Sequence, residues 1–247
     1  SPSNRDNIDW INTDFLYLTN DQDIKIRKKL MKNILEIRNL SHAYDQDISI
    51  IKDFSFSLKK GEIVSILGPS GIGKTTLLRI VAGLEGVMDG EVIISDKVVS
   101  KKNFLLPPEK RNLGLVVEDR ALFPHLNIEK NVMFGITHIQ ERESLVQEYL
   151  GLFKVAELSK KYPHEISAGQ QQRVAFARAI ITNPDILLLD EPFGALDKTL
   201  KDELHDETKK IFKDKDLSVL LVTHDEEEAE YFSDRIIEFQ EDKIIIR

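Results

Sequence analysis

The chain has 247 residues, a length that fits one α/β domain or a domain with an inserted subdomain. Its 42 acidic and 34 basic residues give a net charge of −8, so we expect no nucleic acid among its partners. It has no cysteine, which excludes disulfides and cysteine-ligated metals and is compatible with a reducing compartment. The longest aliphatic runs have the length of a strand and fall far short of a bilayer span.

The first thirty residues differ in composition from the rest of the chain. Residues 1–30 are rich in Asn, Asp and Lys, and their apolar residues follow no sustained period. They lack the positive start and apolar core of a signal peptide. A regular apolar pattern begins after Met31, which is a candidate start. We therefore predict a domain over 31–247, preceded by an extension that is either a leader or cloning remnant or an ordinary helical appendage.

Apolar periodicity and turn residues predict strands, then helices, then strands again. Strands are expected near the start, with turns at Gly61 and at Asp89-Gly90, over 34–38, 50–58, 62–67 and 91–99. Apolar residues at i, i+3 and i+4 predict helices over 127–134, 141–152 and 169–182. Two apolar strands follow, at 186–189 and 218–222, separated by a charged helix over 197–214. Residues 234–247 are predicted to form a hairpin that turns at 241–242.

Residues 68–76 read GPSGIGKTT, which has the form of a phosphate-binding loop. The loop lies between an apolar strand and an apolar helix, so its backbone N–H groups and the helix N-terminus point at one place. Lys74 supplies a cation for the β- and γ-phosphates, and the Thr75 hydroxyl can ligate Mg²⁺. The flanking strand and helix disfavour the alternative of a glycine-rich surface turn. We predict a nucleoside triphosphate site formed by Gly68, Pro69, Ser70, Gly71, Ile72, Gly73, Lys74, Thr75 and Thr76.

A second element of the same site is predicted at residues 186–192, which read ILLLDEP. The four aliphatic residues indicate a buried central strand, and α/β sheets bind their ligands at the carboxyl ends of such strands. Asp190 can hold Mg²⁺ or its water there. Glu191 is placed to accept a proton from a water that attacks the γ-phosphate. An acidic pair after a strand is by itself as often a simple turn, but together with the loop it predicts a nucleotide hydrolase.

Residues 166–170 read ISAGQ and continue as QQRVAFARA, which resembles the LSGGQ signature of ATP-binding cassette (ABC) proteins. Ile replaces Leu, and Ala168 replaces the first Gly. Ser167 and Gln170 also match a capping box, so a well-capped helix is an equally valid description, although it does not account for Gly169. In the ABC family this helix N-terminus faces the γ-phosphate of ATP held by the partner subunit. The resemblance thus implies nucleotide contacts for Ser167, Gly169 and Gln170.

Three further segments match the ABC family in the expected order. Residues 193–197, FGALD, resemble the D-loop and imply that Asp197 contacts the nucleotide. Residues 222–225, VTHD, resemble the switch segment, in which His224 positions the water and the γ-phosphate. Tyr44 matches the aromatic residue that stacks on adenine. Taken singly, Tyr44 would be a residue at a strand end and His224 a surface turn residue, but their order and spacing favour the functional roles.

The resemblance covers the chain from about residue 34 onwards and implies a complete ABC nucleotide-binding domain. The expected fold is α/β: a P-loop NTPase core with an antiparallel β subdomain and an inserted helical subdomain at about 119–182. The implied cofactors are ATP and Mg²⁺. The implied assembly is a homodimer with a shared site, in which Lys74, Glu191 and His224 carry out the chemistry.

One position departs from the family pattern. Residues 114–125 read GLVVEDRALFPH, and Glu118 stands where the family has a Gln that touches Mg²⁺ and the attacking water. A carboxylate can still ligate Mg²⁺, but when ionised it donates no hydrogen bond and adds negative charge near the γ-phosphate. We therefore group Glu118 with Thr75 and Asp190 as metal ligands and expect either compensation by nearby cations or slower hydrolysis. The alternative is that Glu118 turns into solvent.

Several phrases resemble the ATPase subunits of bacterial importers, with an iron(III) or related oxyanion importer as the nearest match. They are LPPEKR at 106–111, LFPHL at 122–126, and the phrases DEPFGALD and THDEEEA. This resemblance implies an integral membrane permease, a solute-capture binding protein that acts through it, and a peripheral position on the cytoplasmic face of the inner membrane. Many such subunits carry a C-terminal regulatory domain, which we do not expect because the sequence ends at Arg247.

The alternative is a soluble ABC ATPase of the Fe–S-assembly or DNA-repair type, which acts as an ATP-driven dimer switch without transport. A repair ATPase would need a long heptad insertion between its nucleotide motifs, which this sequence lacks. The Fe–S-assembly type has acidic or lysine residues after its signature glycine, whereas QQQR follows here. A third alternative is a cassette that does not hydrolyse ATP. Glu118 and Ala168 leave this alternative available, although the other site residues argue against it.

Overall fold

The computed structural model describes residues 32–45, 48–136, 139–240 and 244–247. The predicted extension at 1–30 and the predicted turn at 241–242 lie outside these ranges. The strands are β1 (Asn33–Asp45), β2 (Ile48–Lys59), β3 (Ile63–Leu67), β4 (Asp89–Ile94), β5 (Lys97–Lys101), β6 (Phe104–Leu105), β7 (Leu113–Val116), β8 (Ile186–Asp190), β9 (Val219–Thr223), β10 (Arg235–Phe239) and β11 (Ile244–Ile246). The α-helices are α1 (Lys74–Ala82), α2 (Ile128–Met133), α3 (Arg142–Leu152), α4 (Ala168–Ile180), α5 (Lys198–Asp214) and α6 (Glu226–Phe232).

The described strands form two sheets. One is antiparallel with the order β2-β1-β4-β5-β6, and the other has the order β11-β10-β3-β9-β8-β7. In the second sheet every neighbouring pair is parallel except β10 and β11. Strands β8 and β9 read as unbroken aliphatic runs because parallel strands at the centre of a sheet are buried on both faces.

The two faces of the parallel sheet pack against different layers. On β8, Leu187 and Leu189 belong to a core shared with α4, whereas Ile186 and Leu188 belong to a core shared with α1 and the antiparallel sheet. These four leucine and isoleucine side chains are fully buried, and burying each contributes about 1.5–3 kcal/mol relative to exposure. The parallel sheet is therefore held rigidly between two layers, which fixes the positions of its strand ends.

The register of the parallel sheet brings three chain segments to one edge. Leu67 at the end of β3 pairs with Thr223 at the end of β9, and Asp190 at the end of β8 pairs with Val222. The segments that follow these three strands are the 68–76 loop, Glu191 and His224. Carboxyl ends of neighbouring parallel strands share one edge, so residues about 120 and 150 positions apart become neighbours.

Most predicted elements are present with bounds shifted by one or two residues, but β1 runs well past the predicted 34–38, to Asp45, and the predicted strand over 91–99 is wrong. It is two strands, β4 and β5, joined by Ser95 and Asp96, whose φ values of 49° and 64° are left-handed. Left-handed values at both central residues define the tight hairpin turn that suits the strand twist. Gly61 does lie in a turn between β2 and β3, whereas Asp89 and Gly90 form the first residues of β4. The helices predicted at 127–134, 141–152, 169–182 and 197–214 correspond to α2, α3, α4 and α5.

Arg111, in the segment that resembles importer subunits, ties the antiparallel sheet to α1. Its guanidinium is 2% exposed and donates hydrogen bonds to the carbonyls of Leu106, Ile80, Val81 and Val99 and to Ser100 Oγ, at 2.7–3.0 Å. Burial lowers the pKa of Arg111 to about 10. This arginine therefore has a structural role that the sequence pattern did not reveal. Among the described helices, none is both long and apolar enough to cross a membrane.

Candidate functional site

The loop at 68–76 closes on itself through two glycines and a lysine. Gly71 and Gly73 adopt φ values of 83° and 106°, a region that side chains rarely enter. A Cβ atom on Gly73 would also lie 2.6 Å from Ile50 Cγ2, so this position is closed to larger residues on two grounds. The last three residues of the loop form the first turn of α1, which begins at Lys74, and the backbone N–H groups of a helix N-terminus favour an anion.

Lys74 places its ammonium inside this loop. Nζ donates to the carbonyls of Gly68 at 2.7 Å and Pro69 at 3.0 Å, and the residue is only 5% exposed. It also lies 3.9 Å from Glu191 Oε1. Burial lowers the pKa of Lys74 below its ordinary value, and the nearby charges of Glu191 and Asp190 oppose part of that shift. The loop thus holds a cation whose positive charge is poorly solvated and favours an incoming polyanion.

Thr75 and Asp190 present two oxygen ligands to the same place. The Thr75 hydroxyl donates to Asp190 Oδ1 at 3.1 Å, although 115 residues separate the two in sequence. Burial raises the pKa of Asp190, and the negative charges of Glu191 and Glu118 add to that rise, while Thr75 and Lys74 oppose it. Hydroxyl and carboxylate oxygens are the ligands that Mg²⁺ prefers, and a divalent cation would offset the unfavourable burial of the Asp190 charge. The residues present therefore fit Mg²⁺.

Glu191 and His224 meet directly. His224 Nδ1 lies 2.9 Å from Glu191 Oε2, and the Glu191 amide donates to Val222 O at 2.9 Å. Glu191 has a left-handed φ of 47°, which costs energy in a non-glycine residue and is common at functional sites. An ionised carboxylate only accepts hydrogen bonds, so Nδ1 is the donor and the other imidazole nitrogen is directed elsewhere.

A cleft of about 390 Å³ lies beside these residues; Asp190 and His224 do not line it, but they contact Thr75 and Glu191, which do. Tyr44, Ile50, Ser70, Lys74, Thr75 and Glu191 line it, together with Gly71, Gly73, Thr76 and Glu118. The Tyr44 ring is 59% exposed, and its hydroxyl lies 3.1 Å from Thr76 Oγ1. An exposed aromatic ring beside a phosphate loop is suited to stacking on a planar base. A nucleotide with its base on Tyr44 and its phosphates in the loop therefore fits the cleft.

Glu118 lies at this cleft. It follows β7 and is exposed, yet its Oε1 is 3.5 Å from the place where a side-chain carbon on Gly194 would stand. It also contributes to the raised pKa of Asp190, as described above. Glu118 and Glu191 thus line the cleft together with Lys74, and both carboxylates are close enough to Asp190 for their charges to raise its pKa.

The segment at 166–170 lies apart from the cleft. Ser167 Oγ accepts from Gln170 N at 3.3 Å and Ser167 N donates to Gln170 Oε1 at 2.9 Å, which is the predicted capping box of α4. A side-chain carbon on Gly169 would lie 2.5 Å from Leu200 Cδ2. Tight packing against α5 therefore explains why a glycine stands here, which the sequence did not reveal. Among the described residues that line the cleft, none comes from 166–170.

Asp197 likewise contacts the helix that follows it in the same chain. Its Oδ1 accepts from Leu200 N at 3.1 Å and caps the N-terminus of α5. Of the residues predicted to bind the nucleotide, Tyr44, Ser70, Gly71, Gly73, Lys74, Thr75 and Thr76 line the cleft, and Gly68, Pro69 and Ile72 belong to the same loop without lining it. A second group comes from other segments and does not line the cleft. The second group consists of Ser167, Gly169, Gln170 and Asp197.

A family profile described as ABC transporter matches residues 51–194, more than half of the chain. The chain belongs to the ABC transporter family. It is 38% identical over 226 residues to the Fe(3+) ions import ATP-binding protein FbpC 2 of Haemophilus influenzae, covering 90% of this chain and 63% of that protein. It is 42% identical over 211 residues to the spermidine/putrescine import ATP-binding protein PotA of Bacillus anthracis, covering 84% of this chain and 63% of that protein. The chain thus spans less than two thirds of these relatives.

Solved ABC structures share the fold. The dimeric bacterial ABC transporter cassette MJ0796 superposes with a TM-score of 0.73 at 32% identity, covering 83% of this chain and 94% of that one. CbiO1 of Clostridium perfringens, part of the cbiONQ transporter complex, gives a TM-score of 0.76 at 25% identity, covering 86% and 87%. The predicted ABC fold, a P-loop core with an antiparallel β subdomain and an inserted helical segment, is confirmed.

Sequence reasoning overlooked one residue that shapes this ABC site. Arg178 on α4 donates to Ala121 O at 2.7 Å and Arg120 O at 3.0 Å, and its guanidinium lies 5.5 Å from the centre of the Phe123 ring. Burial lowers the pKa of Arg178. These contacts hold the segment that follows Glu118, where Arg120 and Ala121 both adopt left-handed backbone angles. The only sequence signal is a second arginine in the apolar stretch after ISAGQ.

Proposed function

We propose that this chain is the ATP-hydrolysing subunit of a bacterial ABC importer. The observation that carries the proposal is the convergence of Lys74, Glu191 and His224 at the cleft, reached from the ends of three different strands of one sheet. A cation for phosphates, a carboxylate base and a histidine that orients it are the parts that phosphoryl transfer to water requires.

The bound nucleotide is ATP, with its base on Tyr44 and its phosphates in the loop. Lys74 holds the β- and γ-phosphates, and its release from the Gly68 and Pro69 carbonyls accompanies that contact. Glu191 Oε accepts the proton of the attacking water, and His224 keeps the Glu191 carboxylate and the water in line with the γ-phosphate. The negative charge that develops on the phosphate oxygens is met by Lys74 and by the N-terminus of α1.

Thr75 and Asp190 hold Mg²⁺ in this proposal, with Glu118 as a third ligand. When bound, the ion neutralises charge on the phosphate oxygens and fixes their geometry. The raised pKa of Asp190 supports this role because the carboxylate is held where its own charge is costly unless a cation is near.

The active form is a homodimer in which each ATP is shared. The position of Ser167, Gly169, Gln170 and Asp197 away from the cleft of their own chain supports a second copy as the source of these contacts. The MJ0796 cassette named above is dimeric, and a second dimeric structure of that cassette is a post-hydrolysis state bound to ADP and Pi, with a TM-score of 0.72.

The subunit drives uptake through a separate membrane permease, served by a solute-capture binding protein, at the cytoplasmic face of the inner membrane. The two curated relatives named above are import ATP-binding proteins, one for iron(III) and one for spermidine and putrescine. We infer iron(III) or a related ion or small solute as the transported class. Neither relative favours an Fe–S-assembly or repair role.

The test is ATP hydrolysis by Glu191→Gln. We expect the variant to bind ATP-Mg²⁺ as the parent does, measured with a fluorescent ATP analogue, but to release phosphate ~10²–10⁴-fold more slowly. Glu109→Gln is the matched control because Glu109 is an exposed glutamate away from the cleft. Hydrolysis by Glu191→Gln at the parental rate would contradict the assigned base. Failure of the parent to hydrolyse the ATP it binds would contradict the function itself.

Transport needs its own experiment. A native pull-down from detergent-solubilised membranes is expected to recover a permease with this subunit, and mass spectrometry of that permease identifies the importer class. Recovery of soluble Fe–S-assembly proteins in place of a permease would favour the non-transport alternative.

A further inference from the structure

Three buried or half-buried charges join the start of α5 to the start of α6. Lys201 on α5 donates a hydrogen bond to Asp225 Oδ2 and lies 3.1 Å from Glu228 Oε2. The side chain of Glu228 is 2% exposed and that of Lys201 is 18% exposed. The cluster borders a cavity of about 400 Å³ between the two helices. A lysine that contacts two carboxylates from a neighbouring helix fixes the distance between the helices at this point.

The charges of this cluster depend on one another. Burial opposes the charge of Lys201, but the hydrogen bond to Asp225 and the charge of Glu228 outweigh it and raise the pKa of Lys201. Burial likewise opposes the charge of Asp225, but the bond from Lys201 and the backbone N–H groups of α6 lower the pKa of Asp225. Two further basic groups, Lys198 and His205, line the cavity, and His205 Nε2 is 3.6 Å from Glu228 Oε2, beyond hydrogen-bond distance.

Asp225 is the residue through which this cluster reaches the catalytic cleft. Its Oδ1 accepts from Glu228 N at 3.1 Å and caps α6, and its own amide donates to Thr223 Oγ1 at 3.1 Å. The backbone on both sides of His224 is therefore fixed by Asp225. His224 in turn contacts Glu191 at 2.9 Å.

The other end of the link lies in the segment that resembles the D-loop. Lys201 stands one turn after Asp197, the residue that caps α5. Phe193, at the start of that segment, packs with its ring centre 4.6 Å from His205 and 5.4 Å from Phe232. The segments at 193–197 and 223–228 thus share one packed junction, in which Lys201 is the charged connection.

We propose that Lys201 is a positioning residue for ATP hydrolysis, because it holds Asp225 and thereby keeps His224 against Glu191. The inference rests on the proposed function. Lys201 does not line the nucleotide cleft, so it acts through the switch segment and not on the nucleotide. The rate of hydrolysis, and not the affinity for ATP, is therefore the quantity that Lys201 controls.

The chain offers a matched control for the experiment. Lys209 also lies on α5 and bridges to α6: its Nζ donates to the carbonyl of Tyr231 and lies 4.2 Å from the centre of the Tyr231 ring. This bridge is at the far end of α6 from His224. Lys209→Met removes a lysine contact between the same two helices without touching Asp225.

The experiment compares Lys201→Met, Lys201→Arg and Lys209→Met with the parent. We expect Lys201→Met to lower kcat ~10–10²-fold with KM for ATP changed less than about threefold, because a misplaced catalytic group affects the transition state and not binding. Lys201→Arg is expected to retain most of kcat, because it can still contact Asp225. Lys209→Met is expected to retain the parental kcat. Equal losses of kcat in Lys201→Met and Lys209→Met would mean that Lys201 acts only as a contact between the two helices, and would overturn the proposal.

A second readout does not depend on hydrolysis. Hydrogen–deuterium exchange of the amides at 225–228 is expected to quicken about fivefold in Lys201→Met, as follows from a weakened helix cap, and to stay unchanged in Lys209→Met. If the parent binds ATP without hydrolysing it, the proposed function fails while this readout still tests the link between Lys201 and Asp225. Unchanged exchange at 225–228 in Lys201→Met would overturn the inference even if the parent is an active ATPase.

Loss of Lys201 leaves Glu228 buried without a cation, which can unfold the chain. The double variant Lys201→Met/Glu228→Gln removes that charge and leaves Asp225 without its partner. It is expected to fold and still to hydrolyse slowly, whereas Glu228→Gln alone is expected to keep the parental kcat because Lys201 still holds Asp225. Restoration of the parental rate in the double variant would show that destabilisation by Glu228, and not the position of Asp225, had caused the loss.

Discussion

His224 Nδ1 lies 2.9 Å from Glu191 Oε2, across the boundary between two neighbouring parallel strands. The contact exists because Asp190 pairs with Val222 in the sheet, so the residues that follow β8 and β9 emerge side by side. In this position Glu191 adopts a left-handed backbone angle, which is strained for a non-glycine residue. The hydrogen bond from its backbone N–H to Val222 O helps to hold it there. The sheet itself thus aligns the proposed base with the residue that orients it.

The first prediction concerns His224→Ala. Without the imidazole, the Glu191 carboxylate keeps its distant partner Lys74 at 3.9 Å but loses the contact that fixes its direction. We expect kcat to fall ~10²-fold while the affinity for ATP stays within about threefold of the parent. Steady-state phosphate release and binding of a fluorescent ATP analogue measure the two quantities. His125→Ala, at an exposed histidine outside the cleft, is the control. A parental kcat in His224→Ala would remove His224 from the mechanism.

The second prediction concerns the shared site. Ser167 caps α4 and is absent from the described lining of its own cleft, so a bulky cation there cannot disturb ATP binding by the same chain. We expect Ser167→Arg to abolish hydrolysis while leaving ATP affinity unchanged. In the Glu191→Gln background, light scattering is expected to show an ATP-Mg²⁺-dependent dimer, which Ser167→Arg prevents. A Glu191→Gln protein that stays monomeric with saturating ATP-Mg²⁺ would contradict the shared site.

The third prediction follows from the raised pKa of Asp190. Because the pKa in the folded chain lies above that in the unfolded chain, ionisation of Asp190 opposes folding at neutral pH. This penalty disappears as the pH falls through the folded pKa towards the ordinary value of about 4. Asp190→Asn removes the charge and keeps an oxygen that accepts from Thr75. We therefore expect a higher Tm than the parent at pH 7, with the difference shrinking as the pH approaches 4.

The same variant separates stability from ligand binding. ATP-Mg²⁺ is expected to raise the Tm of the parent by mass action but to raise that of Asp190→Asn much less, because one ligand of the ion has lost its charge. Scanning calorimetry with and without ATP-Mg²⁺ measures both effects. A lower Tm for Asp190→Asn at pH 7 would mean that the carboxylate stabilises the fold, contrary to the burial of its charge.

The elements and the cleft could be predicted from sequence to different extents. The loop at 68–76, the aliphatic run before Asp190 and the capping box of Ser167 each depend on neighbours within about eight residues, so local pattern sufficed. The sequence does not predict the hairpin at Ser95 and Asp96, because these polar residues interrupt the apolar run without a glycine or proline to mark a turn. Gly169 is predicted from the sequence as a nucleotide contact, whereas its close packing against Leu200, 31 positions away, is something that no local pattern reports.

The charged supports of the site were beyond sequence reasoning for the same reason. Arg178 holds the segment after Glu118 across 57 residues, and Lys201 reaches Asp225 across 24. Arginine and lysine are common on helix surfaces, so nothing in their spacing distinguishes these two from solvated neighbours. Only the packing of α4 against the loop after β7, and of α5 against α6, gives each cation its partners.

The last prediction concerns Glu118, the one departure from the family pattern in the cleft. Glu118 lines the cleft with Glu191 and Lys74, and its negative charge contributes to the raised pKa of Asp190. Two like charges about 4 Å apart repel by about 4 kcal/mol at an effective dielectric constant near 20, and bound Mg²⁺ together with Lys74 offsets part of this. Glu118→Gln removes one negative charge and restores a hydrogen-bond donor. We expect a higher kcat or a lower Mg²⁺ concentration at half-maximal rate.

The measurement is phosphate release as a function of Mg²⁺ concentration at fixed ATP, for the parent and for Glu118→Gln. Asp119→Asn is the matched control because Asp119 is the adjacent, exposed carboxylate and does not line the cleft. A charge effect at the cleft lowers the Mg²⁺ requirement in Glu118→Gln alone, whereas a general effect of surface charge lowers it equally in both variants. Unchanged curves for Glu118→Gln between pH 6 and pH 8 would mean that Glu118 acts away from the nucleotide. The assignments of Lys74, Asp190 and Glu191 would stand, since they rest on their own contacts.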